Sequence, residues 1–175
     1  MMRLEEILTQ ALQMEEDGRN FYLQGLETVT SPLSKEVLKR LADEELIHIE
    51  KIQEGYNKIK NQETFTFEGW GGVRKSSREY FENVFTEAKK HMNELLTPQT
   101  GEMETIKMAM DLESKSHQFY VQKMKVVSER DVINFLDFLA SEEYRHYNLL
   151  FNTHEYLSNP SEWYYREEKP IFEGG

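Results

Sequence analysis

Two Glu-x-x-His runs, Glu45-Leu46-Ile47-His48 and Glu143-Tyr144-Arg145-His146, are the residues of this chain best suited to carry chemistry. Residues three apart on a helix lie one above the other, roughly 4.5 Å apart along the axis, so each run can grip one metal ion from a single helix. A further glutamate stands 30 residues before the glutamate of each run, Glu15 before Glu45 and Glu113 before Glu143. From a preceding helix it can complete or bridge the site. Glu45 and His48 share a stripe with Leu38, Leu41, Ala42, Ile49 and Ile52, and Glu143 and His146 share one with Phe135, Leu139, Ala140 and Leu150. The glutamates therefore stand where core leucines are expected. Four carboxylates buried together would be costly, and most would have to take up protons. Two divalent ions set four positive charges against the four negative ones. Carboxylate and imidazole donors suit iron, manganese or zinc rather than metals that prefer thiolates.

The elements that must position these residues form an internal repeat. Shifted by 98 residues, the first part of the chain falls on the last without a gap. Glu15 meets Glu113, Phe21-Tyr22 meets Phe119-Tyr120, Leu41-Ala42 meets Leu139-Ala140, Glu44-Glu45 meets Glu142-Glu143 and His48 meets His146. Shared leucines and alanines are expected of any two amphipathic helices. Shared Glu, Tyr and His at fixed spacing point to duplication of a helical hairpin.

Apolar periodicity predicts helices over about 4–28, 34–61, 76–96, 102–127 and 129–157. Thr30-Ser31-Pro32 interrupts the first pair, with Ser34 available as a cap for the second helix, and Pro98 and Gly101 end the middle helix. The expected fold is all-α: a four-helix bundle in a single domain made of two duplicated hairpins. Hairpin 1 covers about 4–61, a crossover with an additional helix 62–101, hairpin 2 102–157 and an aromatic tail 158–175. A crossover this long lets the second hairpin dock with pseudo-twofold symmetry.

Composition narrows the partners. Cysteine is absent, which excludes disulfides, thiolate zinc sites, iron–sulfur centres and cysteine nucleophiles. The formal charge of −11, from 32 acidic and 21 basic residues, argues against nucleic acid as a partner. No stretch approaches the roughly eighteen apolar residues of a membrane span, and the first residues lack the apolar core of a signal peptide. The expectation is a soluble, cytoplasmic protein.

Tyr22 and Tyr120 lie seven residues after Glu15 and Glu113, on the same helix face, where each could donate its hydroxyl to a ligand carboxylate of a neighbouring helix. His117 could approach the site, but its repeat mate is Arg19, and a surface or supporting role fits it better than a seventh ligand. Glu44 and Glu142 point about 100° away from the ligand glutamates and are expected to be solvated or paired.

These motifs resemble the rubrerythrin-like branch of the ferritin-like di-iron carboxylate superfamily. The residues carrying the resemblance are Glu15 with Phe21-Tyr22, Leu41-Ala42-Asp43-Glu44-Glu45-x-x-His48, Glu113 with Phe119-Tyr120, and Leu139-Ala140-Ser141-Glu142-Glu143-x-x-His146. The resemblance implies a ferritin-like bundle holding two iron ions through Glu15, Glu45, His48, Glu113, Glu143 and His146. It implies reduction of hydrogen peroxide or oxygen, or ferroxidase activity, and a homodimer; the alternative of another class is a structural or sensor protein that holds zinc or manganese without turnover. Two departures stand out. The four-cysteine rubredoxin domain that passes electrons in peroxide-reducing rubrerythrins is missing, so a redox cycle needs an external electron donor protein. Met110 stands where those proteins carry an additional glutamate, one turn before Glu113.

Overall fold

Among the described residues, apolar positions recurring at three- and four-residue spacing fold into four long helices: α1 (Leu4–Gly25), α2 (Pro32–Lys60), α3 (Thr100–Met124) and α4 (Arg130–Ser158). The structure, a computed structural model, describes residues 4–67, Val84 and residues 100–163. The helix expected over 76–96 lies outside the described residues except for Val84, which is helical and buried.

The start of α2 corrects one expectation. Ser31, not Ser34, is the N-cap: its hydroxyl accepts the Ser34 N–H at 3.0 Å, and Pro32 opens the helix. Proline fits there because the first helical N–H has no partner within the helix and its fixed φ already suits the first turn. α1 ends at Gly25, three residues short of expectation, in a turn closed by Thr28 N–H to Gly25 O and Val29 N–H to the same oxygen. A Cβ on Gly25 would lie 3.0 Å from Leu38 Cδ1 and 3.2 Å from Thr105 Cγ2, so glycine lets the three helices close together here.

α1 packs along α2 and α3 along α4, and the two hairpins meet through α1 against α3 and α2 against α4. Tyr22 bonds to Glu113 and Thr28 to Thr105, so α1 and α3 run antiparallel. Glu44 reaches His146 while His48 faces Glu143, so α2 and α4 do too. Every neighbouring pair is therefore antiparallel, and consecutive helices α2 and α3 run the same way. A tight turn could not join them.

The apolar interior falls into two clusters. One gathers Tyr22, Leu38, Leu41, Ile106, Ala109, Leu149 and Leu150, and the other gathers Ile7, Leu8, Ala11, Ile52, Phe135, Leu136 and Leu139. Each fully buried Leu, Ile or Phe contributes roughly 1.5–3 kcal/mol, so both clusters clamp the bundle firmly. Between them, at mid-height on all four helices, lies the layer that contains the glutamates and histidines.

Past α2 the chain turns at Gln62, whose φ of 59° is left-handed, and Glu63 N–H returns to Lys58 O at 2.9 Å. Residues 63–67 have no regular structure, as expected, and carry Phe65 and Phe67 onto Phe135 with ring centroids 5.6 and 5.3 Å apart. Gly55 makes room for this: a Cβ there would lie 2.7 Å from the Phe65 ring. From the tail, Trp163 packs edge-on against Tyr156, centroids 5.6 Å apart.

Candidate metal centre

Each helix delivers its share of the central layer because its periodic face points inward at that height. Glu15, Glu45, His48, Glu113, Glu143 and His146 are all at most 2% exposed. They form two groups whose donor atoms lie within 4.8 Å of one another: Glu15, Glu45, His48 and Glu143 in one, Glu45, Glu113, Glu143 and His146 in the other. The shift of 98 residues turns the first group into the second. Glu45 and Glu143 belong to both, so the glutamates of the two Glu-x-x-His runs are the ones able to bridge, while Glu15 with His48 and Glu113 with His146 stand at either end.

Both imidazoles turn Nδ1 toward the carboxylates. His48 Nδ1 lies 3.0 Å from Glu15, 2.9 Å from Glu45 and 3.4 Å from Glu143. His146 Nδ1 lies 3.2 Å from Glu45 and 3.5 Å from Glu113, without hydrogen-bond geometry to either. The two rings stack with centroids 5.4 Å apart and planes 15° from parallel. Glu113 Oε2 and Glu143 Oε1 are also buried with no hydrogen bond.

The electrostatics describe a cluster that must hold protons when no cation neutralises it. Burial, and next the charge of Glu45, push the Glu15 carboxyl up to about 8. Burial and the charges of Glu15, Glu45 and Glu113 push Glu143 well above the carboxylate range. Burial also works to raise Glu45, but hydrogen bonding to Glu15 and the two histidines outweigh it and hold Glu45 low. Burial opposes the charged form of His48, yet Glu45 and Glu15 raise it to about 10, and His146 is raised in the same way by Glu113, Glu44 and Glu45. Four acids and two imidazoles with unbonded buried atoms fit two divalent cations, which would displace these protons and leave oxygen and nitrogen donors facing the ions.

The supporting shell is paired across the hairpins. Tyr22 donates its hydroxyl to Glu113 and Tyr120 donates to Glu15, in short bonds that are repeat mates of each other. Burial, followed by the neighbouring carboxylate charges, keeps both phenols protonated and therefore donors. Glu44 is paired, as expected, but with more consequence than its sequence position shows. Its Oε2 lies 3.0 Å from His146 Nε2 and accepts from Arg145 at 3.0 Å, while Oε1 accepts from Arg40 at 3.2 Å. Arg145 also bonds Glu142, which is buried. A carboxylate on the far nitrogen of a ligand-type histidine fixes its ring and tautomer. The signal that could have found Glu44 was its place one residue before Glu45, on the side of α2 that faces α4.

His117 does not enter the cluster: its Nδ1 bonds the Ala140 carbonyl at 2.8 Å, tying α3 to α4. Met110 is half-buried against the apolar cluster that contains Ile106 and Ala109. A cavity of about 170 Å³ opens between α1 and α3 and ends on Glu15, Glu45, Glu113 and Glu143.

Comparison with known proteins agrees with this geometry. A solved structure of a hypothetical protein from Pyrococcus furiosus superposes with a TM-score of 0.63 over 90% of this chain and 92% of its own, at 22% identity, a likeness of fold. No curated protein matches the chain. The family model described as rubrerythrin matches residues 6–154, which include both hairpins' helices through the metal-type layer and all six of its glutamates and histidines. With its ferritin-like helical bundle and its buried layer of carboxylates and imidazoles, this chain belongs to the rubrerythrin family.

Proposed function

We propose that this chain is a dinuclear-metal oxidoreductase, most simply di-iron, that reduces hydrogen peroxide or oxygen with electrons from an external donor protein. The observation that carries the reading is the sharing of Glu45 and Glu143 between two repeat-related donor groups, which suits a pair of adjacent ions rather than one. Two bound iron ions would supply one electron each, taking one hydrogen peroxide and two protons to two waters before the donor returns both electrons. In this reading Glu15, Glu45, His48 and Glu143 would hold one ion and Glu45, Glu113, Glu143 and His146 the other. Tyr120 and Tyr22 hold the carboxylates of Glu15 and Glu113 in place, and Glu44 orients His146. Manganese or zinc would satisfy the same donors.

A second reading, ferroxidase activity with Fe(II) itself as substrate, is favoured by the symmetry of the donor groups and by Met110, which leaves six ligands and no additional glutamate. We carry a homodimer as part of the first reading, supported by Leu46, Ile47, Tyr144 and Phe151 exposed on α2 and α4. A single domain and a cytoplasmic setting in oxidative-stress defence complete the proposal. Among the described residues no helix is long and apolar enough to cross a membrane, and the net charge of −11 disfavours nucleic acid.

The test is metal content beside the Glu45→Ala, Glu143→Ala double variant. The reading expects about two irons per chain, lost in the variant, and a ferric absorption that bleaches on reduction and returns faster with peroxide than with air. Equal, slow return with both oxidants removes the peroxidase reading. A large hollow assembly on size exclusion, with rapid consumption of Fe(II), would favour the ferroxidase. Little metal after anaerobic Fe(II) loading would remove both.

A further inference from the structure

The cavity between α1 and α3 has a rim that repeats the pseudo-symmetry of the centre. Its mouth residues pair as repeat mates: Met14 with Leu112, Asp17 with Lys115, Gly18 with Ser116. Asp17 and Lys115 are exposed and the other four half-buried, whereas the floor is formed by buried carboxylates. The cavity therefore runs from solvent to the centre of the bundle. At about 170 Å³ it has room for a few water-sized molecules. The smallest side chains of the rim, Gly18 and Ser116, stand opposite each other on antiparallel helices. A Cβ built on Gly18 meets nothing within 4 Å, so packing does not require the glycine. It sits mid-helix, where glycine costs roughly 0.8–1 kcal/mol relative to alanine.

We propose that Gly18 and Ser116 form the mouth through which a small, uncharged reactant reaches the metal centre, and that their size limits which molecules pass. The reactant class is a di- or triatomic oxidant or its hydrogenated form, such as oxygen or hydrogen peroxide. The rim supports an uncharged species: Met14, Gly18, Leu112 and Ser116 carry no charge, its one acid and one base, Asp17 and Lys115, cancel, and two divalent ions would neutralise the four carboxylates of the floor. This rests on the dinuclear-metal reading above but not on which oxidant is turned over.

Because Gly18 has free space around it, Gly18→Leu narrows the mouth without disturbing the fold. The probe is nitric oxide, a neutral diatomic, mixed anaerobically by stopped flow with the Fe(II)-loaded protein. The variant should bind two irons and keep the wild-type circular dichroism, while the nitric oxide association rate falls at least tenfold. Asn20→Leu, on the exposed side of the same helix, should bind at the wild-type rate. An unchanged rate in a fully loaded Gly18→Leu protein would overturn the proposal, and if that variant does not fold, Ser116→Leu decides by the same criterion. Failure to load iron in the wild type would remove the mouth along with the metal centre. Normal nitric oxide kinetics without peroxide or oxygen turnover would instead remove only the oxidoreductase reading.

Discussion

Tyr120 on α3 donates its hydroxyl to Glu15 on α1, joining residues 105 apart in sequence across the seam between the two hairpins. The bond is buried, and its repeat mate runs from Tyr22 to Glu113. Each hairpin thus holds a carboxylate of the other, so the central layer is assembled only when the hairpins dock.

Replacing Tyr120 with Phe removes the hydroxyl and leaves the ring in the core. With no cation bound Glu15 keeps its proton up to about pH 8, so at neutral pH the bond is to a neutral carboxyl, and Tyr120→Phe, which leaves a buried oxygen of Glu15 unpaired, should lower the unfolding free energy of the metal-free protein by about 1–3 kcal/mol in urea titrations. Metal affinity should fall about 10- to 100-fold, as for other groups that orient ligands. A chelator competition giving wild-type affinity would show that Glu15 is positioned without the tyrosine.

Glu44 bonds His146 Nε2 at 3.0 Å and is held by Arg40 and Arg145. Glu44→Ala should therefore weaken the His146 end of the centre selectively. In a Co(II) titration of the metal-free protein the variant should separate into two steps, with one site at least tenfold weaker than the other. Parallel weakening of both sites would mean that Glu44 acts through the general field instead of through the ring of His146.

Much of this was legible before any coordinates. Glu, Tyr and His at matching positions in two halves point to the bundle and to six inward residues, because helix periodicity converts spacing directly into facing, and they allow a Tyr–carboxylate pairing that the structure then supplies. What spacing cannot convey is which neighbour a side chain meets across the bundle. For Glu44 the spacing allows either a solvated or a paired acid, because its own helix says only that it points away from Glu45, whereas its role depends on α4 lying alongside. The cap of α2 lies three residues before the expected Ser34 because Ser31 and Ser34 both have cap chemistry, and only the backbone shows which of them precedes the helix. Glu102 gave no signal at all. Its partners, Thr30 and Ser31, are more than 70 residues earlier in the chain.

That carboxylate offers a stability test away from the centre. Glu102 is buried at the start of α3, accepting from Thr30 Oγ1 at 2.9 Å and Ser31 N–H at 3.1 Å, and so ties the first interhelical turn to the second hairpin. Burial alone would raise its pKa, but the hydroxyl of Ser34 together with Thr30 and Ser31 outweighs it and holds the carboxyl below the ordinary range. Glu102→Ala should cost about 1–3 kcal/mol through the donors left unpaired, without changing metal stoichiometry. The stabilisation should also fade as pH falls below 4.5, since protonation of a depressed carboxyl removes it. A melting temperature within 1 °C of wild type, roughly the scatter of such a measurement, would count against the tie.

The charge of the central layer makes the metal-free and metal-loaded proteins diverge with pH. Glu15 rises from 4.5 to about 8 in the folded state and His48 from 6.5 to about 10, with Glu143 and His146 shifted the same way. A raised pKa means the folded state binds more protons than the unfolded one. Its stabilisation is complete below the unfolded pKa and is lost as pH climbs through the folded value. The two glutamates act in this direction from pH 5, Glu15 until about 8, and the two histidines join from about 6.5, each by at most about 1.4 kcal/mol per pH unit, while the depressed Glu45 acts only below 4.5. The metal-free protein should therefore melt progressively lower from pH 5 to pH 9. Bound cations take the place of those protons, so the loaded protein escapes this loss, and metal affinity climbs with pH. The melting-temperature gap between the two forms should widen at each step from pH 5 through 7 to 9. Taking the gap cancels titration elsewhere on the chain, so a constant gap would mean that the buried glutamates and histidines neither hold protons when empty nor release them to a metal.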